Sequence, residues 1–418
     1  MPTEEGSRRR AALAANVAAG ALGLALLLVA LRMGEGWAER HFLPAWAWTW
    51  DVQLRILLAL RLLLALAGLL VLFALRPWLA RAFREGRGGR ALGSAAMALL
   101  AVAAAFGVTE GVLRTRTWRS VQERWDQEPR RVPDARYGWA FAPDHAGAVS
   151  LNGRTIHYGT GPFGYRAPRA GAGPDFARPT IVFGGESVVF GYGLEWPDTL
   201  PAQVQALTGV QAANIAVNAH ATDQIFLRLR RELPRFRRPV AVVIPFMPDL
   251  LDRNLDTDRP HLDARLGWHP GGGPPLRLVE LARRFIRYRS DDAIRDGVAM
   301  TQAALRASIA VARARGAEPI ILVPQFLPEP ARERAVRKMV LDERRIPYLL
   351  VPLDPAWRSP GHGHPDPRGA RALALAVTKA LQSAVTVPPS PATPPPVSAA
   401  ASSSLSTGAS VTTTRAPS

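Results

Sequence analysis

The sequence predicts an α/β protein, a three-layer sandwich around a parallel sheet, preceded by three transmembrane helices. Two patterns support this fold class. The first 115 residues contain three long apolar runs, and beyond residue 179 short β-branched runs alternate with helix-like segments. A third observation concerns function, because Ser187, Asp249 and His364 each follow one of the strand-like runs. The carboxyl ends of parallel strands share one edge, so these residues are expected to meet there.

The three apolar runs cover residues 11–31, 56–75 and 91–112. Each has about 20 residues, and at roughly 1.5 Å rise per residue this length crosses a hydrocarbon core of roughly 30 Å. Core helices of a soluble bundle would show a polar stripe, which the first and third runs lack. The first run also lacks a small-x-small site before polar sequence, which a cleaved signal peptide needs. Residues 1–115 are therefore predicted to form a membrane anchor.

The placement of arginines predicts the orientation of this anchor. Three arginines precede the first span and five lie between the second and third, whereas the first connection is rich in tryptophan and poor in basic residues. Basic loops stay in the cytoplasm. The N-terminus is therefore expected inside and the C-terminal part outside, on an inner (cytoplasmic) membrane. The basic segment 114–131 runs against this orientation.

Composition excludes several classes of protein. The 418 residues carry a net charge of +18, and Lys338 and Lys379 are the only lysines. The arginines are scattered without a basic strip interleaved with aromatics, so the partner is expected to be the lipid bilayer and not nucleic acid. The chain has no cysteine, which excludes disulfides and thiolate metal sites. No paired charges lie within the spans to mark a transport path.

Beyond the anchor, the alternation indicates a parallel sheet with helices on both faces. The strand-like runs are "TIVFGG", "QAANIAV", "VAVVIPF", "PIILVPQ" and "IPYLLVPL". The helix-like segments are 199–207, 222–233, 293–315, 330–344 and 367–384.

This alternation defines a predicted domain over residues 179–384. Residues 116–178 mix glycine, proline and aromatics and are expected to form a strap or small cap, and residues 250–289 are a long insertion. The tail, 385–418, is rich in Pro, Ser and Thr and is predicted to be disordered, because it cannot bury a core.

The stretch "GGESVVFGYG" contains the strongest functional signal. It is not the G-x-S-x-G nucleophile elbow, because Val189 occupies the last position. The pattern G-E-S-x-x-F-G-x-G resembles the GDS block of the SGNH (GDSL-type) hydrolase family, with Glu186 in place of aspartate.

Further blocks carry the same resemblance over about residues 134–384. "NIAVNAHATDQ", "VVIPFMPDLLDRN" and "GHGHPDPRGARALALAV" look like the second, third and last blocks. "DARYGWAFAPDHAGAV" and "GPFGYRAPR" look like the lead-in of membrane-anchored bacterial members. The resemblance implies a flavodoxin-like SGNH sandwich.

The resemblance also implies roles for individual residues. Ser187 would be the nucleophile, and His364 the base that activates its hydroxyl. The backbone N–H groups of Ser187 and Ala219 would bind the oxyanion, with alanine where the family usually has glycine. Supporting roles would fall on Glu186, Asn218, Asp249 and His362. No metal and no cofactor are implied.

Two departures from the family pattern affect this site. Pro248 stands where the third block offers an asparagine to the oxyanion, and proline has no donor. Asn218 or Asn254 could supply the amide instead. In the last block Gly361 and His362 occupy the places of the orienting acid, so a backbone carbonyl would have to hold the base.

Each candidate also has a structural alternative. Ser187 could be a turn residue whose loop is anchored by Glu186, and His364 a residue at a helix start. His362 and His364 could form a metal pair, but no other ligand cluster accompanies them. The carboxylates from Asp252 have calcium-loop spacing without the glycine that the sixth position needs.

The sequence therefore supports two hypotheses about function. The first is a membrane-anchored serine esterase or acyl-ester hydrolase, or a related O-acyltransferase, acting on an acylated carbohydrate or lipid of the cell envelope. The second is a catalytically impaired protein of the same fold that binds a glycan or a protein partner.

Overall fold

The structure is a computed structural model that describes residues 4–44, 50–115, 127–272 and 276–386. The first part of the predicted strap (116–126) and nearly all of the predicted disordered tail lie outside the described residues.

Long helices form the N-terminal anchor. Its helices are α1 (Glu4–Arg32), α2 (Glu35–His41), α3 (Trp50–Leu70), α4 (Arg76–Arg84) and α5 (Gly88–Thr115), with a π-helical turn joining α3 to α4. In the described part of the chain, three stretches are long and apolar enough to cross a membrane: Glu5–Arg32, Trp50–Arg84 and Gly88–Thr115. The three predicted spans are thus confirmed as helices, and each helix continues into polar sequence beyond its apolar run.

A mixed sheet of eight strands forms the centre of the described sandwich domain, in the order β12-β11-β8-β6-β7-β5-β4-β3. Its strands are β3 (Ala146–Leu151), β4 (Arg154–Thr160), β5 (Arg166–Ala167), β6 (Pro179–Phe183), β7 (Gln211–Asn214), β8 (Arg238–Pro245), β11 (Glu318–Phe326) and β12 (Leu349–Leu353). The short ribbons β1 (Arg131–Asp134) with β2 (Gly138–Phe141) and β9 (His261–Leu262) with β10 (Trp268–His269) lie outside it.

The prediction of a parallel sheet holds for β6, β7, β8, β11 and β12. The sequence did not predict that β3, β4 and β5 extend the sheet with antiparallel pairing. Residues 146–167, assigned to a strap or cap, therefore belong to the main sheet. The local signal was Asn152-Gly153, whose φ angles of 51° and 75° form the tight turn between β3 and β4.

Helices cover both faces of the sheet. They are α6 (Ser187–Phe190), α7 (Leu200–Thr208), α8 (Thr222–Glu232), α9 (Pro248–Asn254), α10 (Arg277–Phe285), α11 (Asp291–Ala314), α12 (Ala331–Arg337) and α13 (Pro367–Thr386). Phe183 packs in one apolar cluster with Leu373 of α13, and its neighbour Val182 packs in another with Leu229 of α8. Successive strand residues face opposite sides, so the two clusters form the two interfaces of a three-layer sandwich.

The connection between the first two spans, residues 33–44, packs against the sandwich domain, and we call it the first connection. The Nδ1 atom of His41 lies 2.9 Å from the carbonyl oxygen of Arg289. Phe42 forms an antiparallel bridge with Tyr288, and Leu43 is buried in a core cluster of the domain. The first connection and the domain therefore lie at the same end of the anchor.

Candidate active site

The loop after β6 places Ser187 at the start of α6. Glu186 caps this short helix, because its Oε1 accepts a hydrogen bond of 2.9 Å from the N–H of Val188. The Ser187 hydroxyl lies 2.5 Å from Oε2 of the same carboxyl. Glu186 is buried, so a desolvated carboxyl group fixes this turn.

The structure brings Ser187 together with His364, as the sequence predicted. The distance between Nε2 of His364 and Oγ of Ser187 is 2.7 Å, although 177 residues separate them in the chain. Both side chains are 8% exposed. The hydroxyl has a single hydrogen, so it donates either to His364 or to Glu186 at one time.

On the other side of His364 lies a second imidazole. The Nδ1 atoms of His362 and His364 are 3.0 Å apart. For Nε2 of His364 to accept the serine proton, its Nδ1 must carry hydrogen and donate, so His362 accepts through an unprotonated Nδ1. His362 thus occupies the orienting position where the family pattern places a carboxylate.

The loop that carries His362 depends on a close approach to glycine. A Cβ atom at Gly193, where φ is +80°, would lie 2.7 Å from the His362 ring. Tyr192 beside it packs its ring 5.3 Å from that of His364 and 5.5 Å from that of His362. Sequence analysis did not identify Tyr192, although it lies in the "FGYG" part of the first block.

Burial controls the protonation of the site. Desolvation, together with the positive fields of His362 and Arg253, lowers the pKa of His364 to about 3. Desolvation also lowers the pKa of His362 and raises the pKa of Glu186. At neutral pH His364 is uncharged and can accept a proton, and the group at its Nδ1 is the imidazole of His362 rather than a carboxylate.

A charged pair lies next to the nucleophile. Nη2 of Arg253 lies 2.7 Å from Oδ2 of Asp249, and its Nη1 lies 3.9 Å from Oε2 of Glu186. Asp249 therefore lies near the site as predicted, but it is paired with an arginine that the sequence analysis missed. The i,i+4 spacing on one helix is the signal that could have identified the pair.

Backbone donors remain for an oxyanion. Within the described residues, the N–H groups of Ser187 and Ala219 make no hydrogen bond. Ala219 has a φ of +65°, the left-handed region that favours glycine. Asn218 is buried beside it, and its Oδ1 has no partner among these residues. Asn254 does not join the site, because its side chain bonds Thr222 N and the Thr301 hydroxyl.

The carboxylates considered for calcium are already neutralised by arginines. Asp252 pairs with Arg287 at 2.7 Å and with Arg289 at 2.9 Å, and Asp256 pairs with Arg289 at 2.6 Å. The described ranges contain no group of three or more His, Asp or Glu side chains placed to hold a metal ion. In the insertion these carboxylates therefore serve as ion-pair partners of Arg287 and Arg289.

Solved structures match about half of this chain. A member of the lipolytic G-D-S-L family from Veillonella parvula is 11% identical, with 48% of this chain and 96% of that chain covered and a TM-score of 0.30. The psychrotrophic esterase EstA from Pseudoalteromonas sp. is 13% identical over 49% and 98%, with a TM-score of 0.33. Est24, a carbohydrate acetylesterase from Sinorhizobium meliloti, is 11% identical over 50% and 100%, with a TM-score of 0.30.

No protein-family model and no curated protein matches the chain. The resemblance to the SGNH (GDSL-type) hydrolases therefore rests on the sequence blocks of this chain. The solved structures match about half of this chain. The chain also contains a helical anchor with three candidate membrane spans. At such low identity, any statement about activity rests on the geometry of the site itself.

Proposed function

We propose that this chain is a membrane-anchored serine esterase or acyl-ester hydrolase, or a related O-acyltransferase, acting on an acylated carbohydrate or lipid of the cell envelope. The distance of 2.7 Å between the Ser187 hydroxyl and His364 Nε2 carries this proposal. An unprotonated imidazole at hydrogen-bond distance is what a serine hydroxyl needs to become a nucleophile.

In the proposed reaction, Ser187 Oγ attacks the acyl carbon while His364 Nε2 takes the hydroxyl proton. The oxyanion is bound by the N–H groups of Ser187 and Ala219. When the tetrahedral intermediate collapses, the alcohol leaves with the proton from His364, and the acyl group stays on Ser187. Water or a sugar hydroxyl then attacks this ester, with His364 again as base. Attack by water is hydrolysis, and attack by a sugar hydroxyl is acyl transfer.

Glu186 controls where the hydroxyl proton points. An ionised carboxylate would accept that proton and compete with His364. A neutral carboxyl instead donates to Oγ and leaves the serine hydrogen for the imidazole. Because burial raises the pKa of Glu186, the neutral form is favoured by its surroundings, although Arg253 opposes this effect.

Hydrolysis of p-nitrophenyl acetate by the full chain in detergent tests the proposal. Ser187→Ala is expected to lower kcat by at least about 10³-fold, since nothing else in the site replaces the nucleophile. Ser150→Ala, an exposed serine of β3, is the matched control and should keep the parent rate. A Ser187→Ala protein as fast as the parent would show that the nucleophile is assigned wrongly.

A second candidate is a non-catalytic binder of the same fold. The observation that favours it is the imidazole of His362 beside His364 where an acid is expected, while burial lowers the pKa of His364 to about 3. A fluorophosphonate probe separates the two candidates, because only an activated hydroxyl reacts with it. Labelling at Ser187 supports the enzyme, and a folded protein that stays unlabelled supports the binder.

The membrane orientation is part of the proposal. The first connection packs on the domain at one end of the anchor. At the opposite end Arg8 lies close to the turn at Gly86, since a Cβ at Gly86 would be 3.2 Å from the Arg8 guanidinium. Basic residues mark that opposite end as cytoplasmic. In intact cells freed of their outer layers, a membrane-impermeant maleimide should label Ser150→Cys but not Gly89→Cys. The reverse pattern would invert the orientation.

A further inference from the structure

A cleft of ≈ 890 Å³ lies between the anchor and the sandwich domain. Glu39, Pro44 and Trp50 line it from the anchor side, and Asp249 and His362 line it beside the Ser187–His364 pair. Trp50 is also the first residue of α3, the helix of the second span. The cleft therefore runs from the start of a membrane span to the candidate catalytic residues.

The lining of the cleft is amphipathic. Its apolar residues include Pro44, Trp50, Met247, Phe326 and Pro330. Its hydrogen-bonding and charged residues are Glu39, Asp249, Gln325, Arg332, Glu333, Arg358 and His362. A ligand that fills this space needs both a hydrocarbon part and a polar part, which is the composition of an acylated amphiphile.

Arg332 is the clearest polar feature of the anchor-side wall. Its guanidinium lies 3.6 Å from the ring centroid of Trp50 and donates to the carbonyl oxygen of Phe42. Its Nε is buried and has no hydrogen-bond partner in the described part of the chain. Burial lowers the pKa of Arg332 to about 10, although Glu39 and Glu333 act in the opposite direction. A partly desolvated cation next to tryptophan suits the polar head of a lipid.

Helix α10 independently supports a membrane-facing position for this end of the domain. Leu278, Leu281, Ala282 and Phe285 have the i, i+3, i+4, i+7 spacing of one apolar stripe, and none of these four residues is buried. Glu110, near the end of the third span, accepts hydrogen bonds of 2.9 Å from the N–H groups of Arg277 and Leu278. An exposed apolar stripe at the end of a span, on a helix rich in arginine, is typical of a helix that lies in the membrane interface.

We propose that the cleft admits an acyl ester whose lipid part stays in the bilayer, so that the reaction occurs at the membrane surface. This inference rests on the proposed function and names the substrate class of its site. The hydrocarbon part lies along Pro44, Trp50 and Phe326, and the polar head meets Arg332 and Arg358. A phospholipid and a lipid-linked acylated sugar share this chemistry.

The test uses the absence of cysteine from the chain. Ala331 lines the cleft, and Ala335, on the same helix α12, is exposed outside its lining. Each is replaced by cysteine in the full chain, reconstituted in phosphatidylcholine vesicles and labelled with a bulky maleimide. The vesicles carry either phosphatidylglycerol or an O-acetylated dodecyl glycoside as the ester, and p-nitrophenyl acetate serves as the water-soluble ester.

For labelled Ala331→Cys, the ratio of the vesicle-ester rate to the acetate rate should fall by at least about tenfold, whereas labelled Ala335→Cys keeps the parent ratio. The ester that the parent hydrolyses identifies the source of the lipid. Equal ratios for both labelled proteins would overturn the inference, and so would an acetate-active parent that hydrolyses neither vesicle ester.

A second pair of variants guards against misfolding. Trp50→Ala removes the aromatic wall and should lower the same ratio, while Trp268→Ala, an exposed tryptophan of β10, should not. An acetate rate that survives Ser187→Ala refutes the proposed function itself. If the acetate rate depends on Ser187 but Trp50→Ala leaves the ratio of vesicle-ester rate to acetate rate unchanged, the proposed lipid substrate is refuted and the proposed esterase function is not.

Discussion

The two loops that meet at the candidate active site are stabilised in different ways. The nucleophile loop after β6 rests on a buried carboxyl, Glu186, with Arg253 at 3.9 Å from it. The base loop after β12 holds His364 through a second imidazole, His362. The nucleophile side thus contains the buried acidic group, whereas the acids of the base loop, Asp354 and Asp366, accept hydrogen bonds from Ala356 N and from Arg368.

This difference separates two tasks that a catalytic triad combines. The carboxyl beside Ser187 orients the hydroxyl, but it lies on the wrong side of the imidazole to orient His364 through Nδ1. The position of the proposed base therefore suits proton transfer, but its charged imidazolium form is disfavoured, since burial lowers its pKa to about 3. Substitutions at four positions test this difference between the two loops, and they are given from the largest expected effect to the smallest.

His364→Ala should have the largest effect. Without the imidazole nothing takes the serine proton, so kcat for p-nitrophenyl acetate should fall by about 10³-fold or more, and Ser187→Ala added to it should lower the rate little further. His269→Ala, whose exposed ring pairs with Asp263 outside the site, is the control. A His364→Ala protein that keeps most of the activity would mean that a different group is the base.

Glu186 variants test the nucleophile side. Glu186→Ala removes the cap of α6 and the partner of the hydroxyl, so the free energy of unfolding should fall by about 1–2 kcal/mol and the rate by up to about 10²-fold. Glu186→Gln can still accept from Val188 N and donate to Oγ, so it should stay close to the parent. A glutamine variant as slow as the alanine variant would mean that an ionised Glu186 is required. Thermal unfolding and acetate hydrolysis measure both effects.

His362→Asp tests the base side through pH. His364 acts only when neutral, and with a pKa of about 3 its protonation should abolish activity only in strongly acidic solution. A carboxylate next to His364 favours the imidazolium, which raises the pKa and stabilises the charge formed during attack. The acid limb of kcat/KM should move to higher pH, and kcat at pH 7 should rise. His362→Asn is the uncharged control, and an acid limb common to both variants would contradict the assignment.

Ala219→Gly should have the smallest effect. A residue with a Cβ is strained at a φ of +65°, so glycine should raise the free energy of unfolding by up to about 1 kcal/mol without removing the N–H donor. Ala307→Gly, in the interior of α11, should instead lower it by about 0.5–1 kcal/mol. Denaturant unfolding measures both, and a destabilised Ala219→Gly protein would show that the methyl group packs favourably.

The sequence alone predicted the features that depend on local pattern. The three spans follow from the length of uncharged helix that a bilayer requires, and the parallel strands from short buried runs between helices. Ser187 and His364 were predicted to meet because each follows a strand of the same parallel sheet. The distance of 2.7 Å between their reacting atoms agrees with this prediction.

Only the tertiary structure decided which partners these residues have. His362 lies against His364, Arg253 pairs with Asp249 beside Glu186, and the strands of residues 146–167 extend the sheet on its antiparallel side. The cleft is the clearest case, since Trp50 and His362 line it from opposite ends of the chain. Local periodicity determines which element forms, but a contact between distant segments depends on how all the elements pack together, and no short stretch of sequence contains that information.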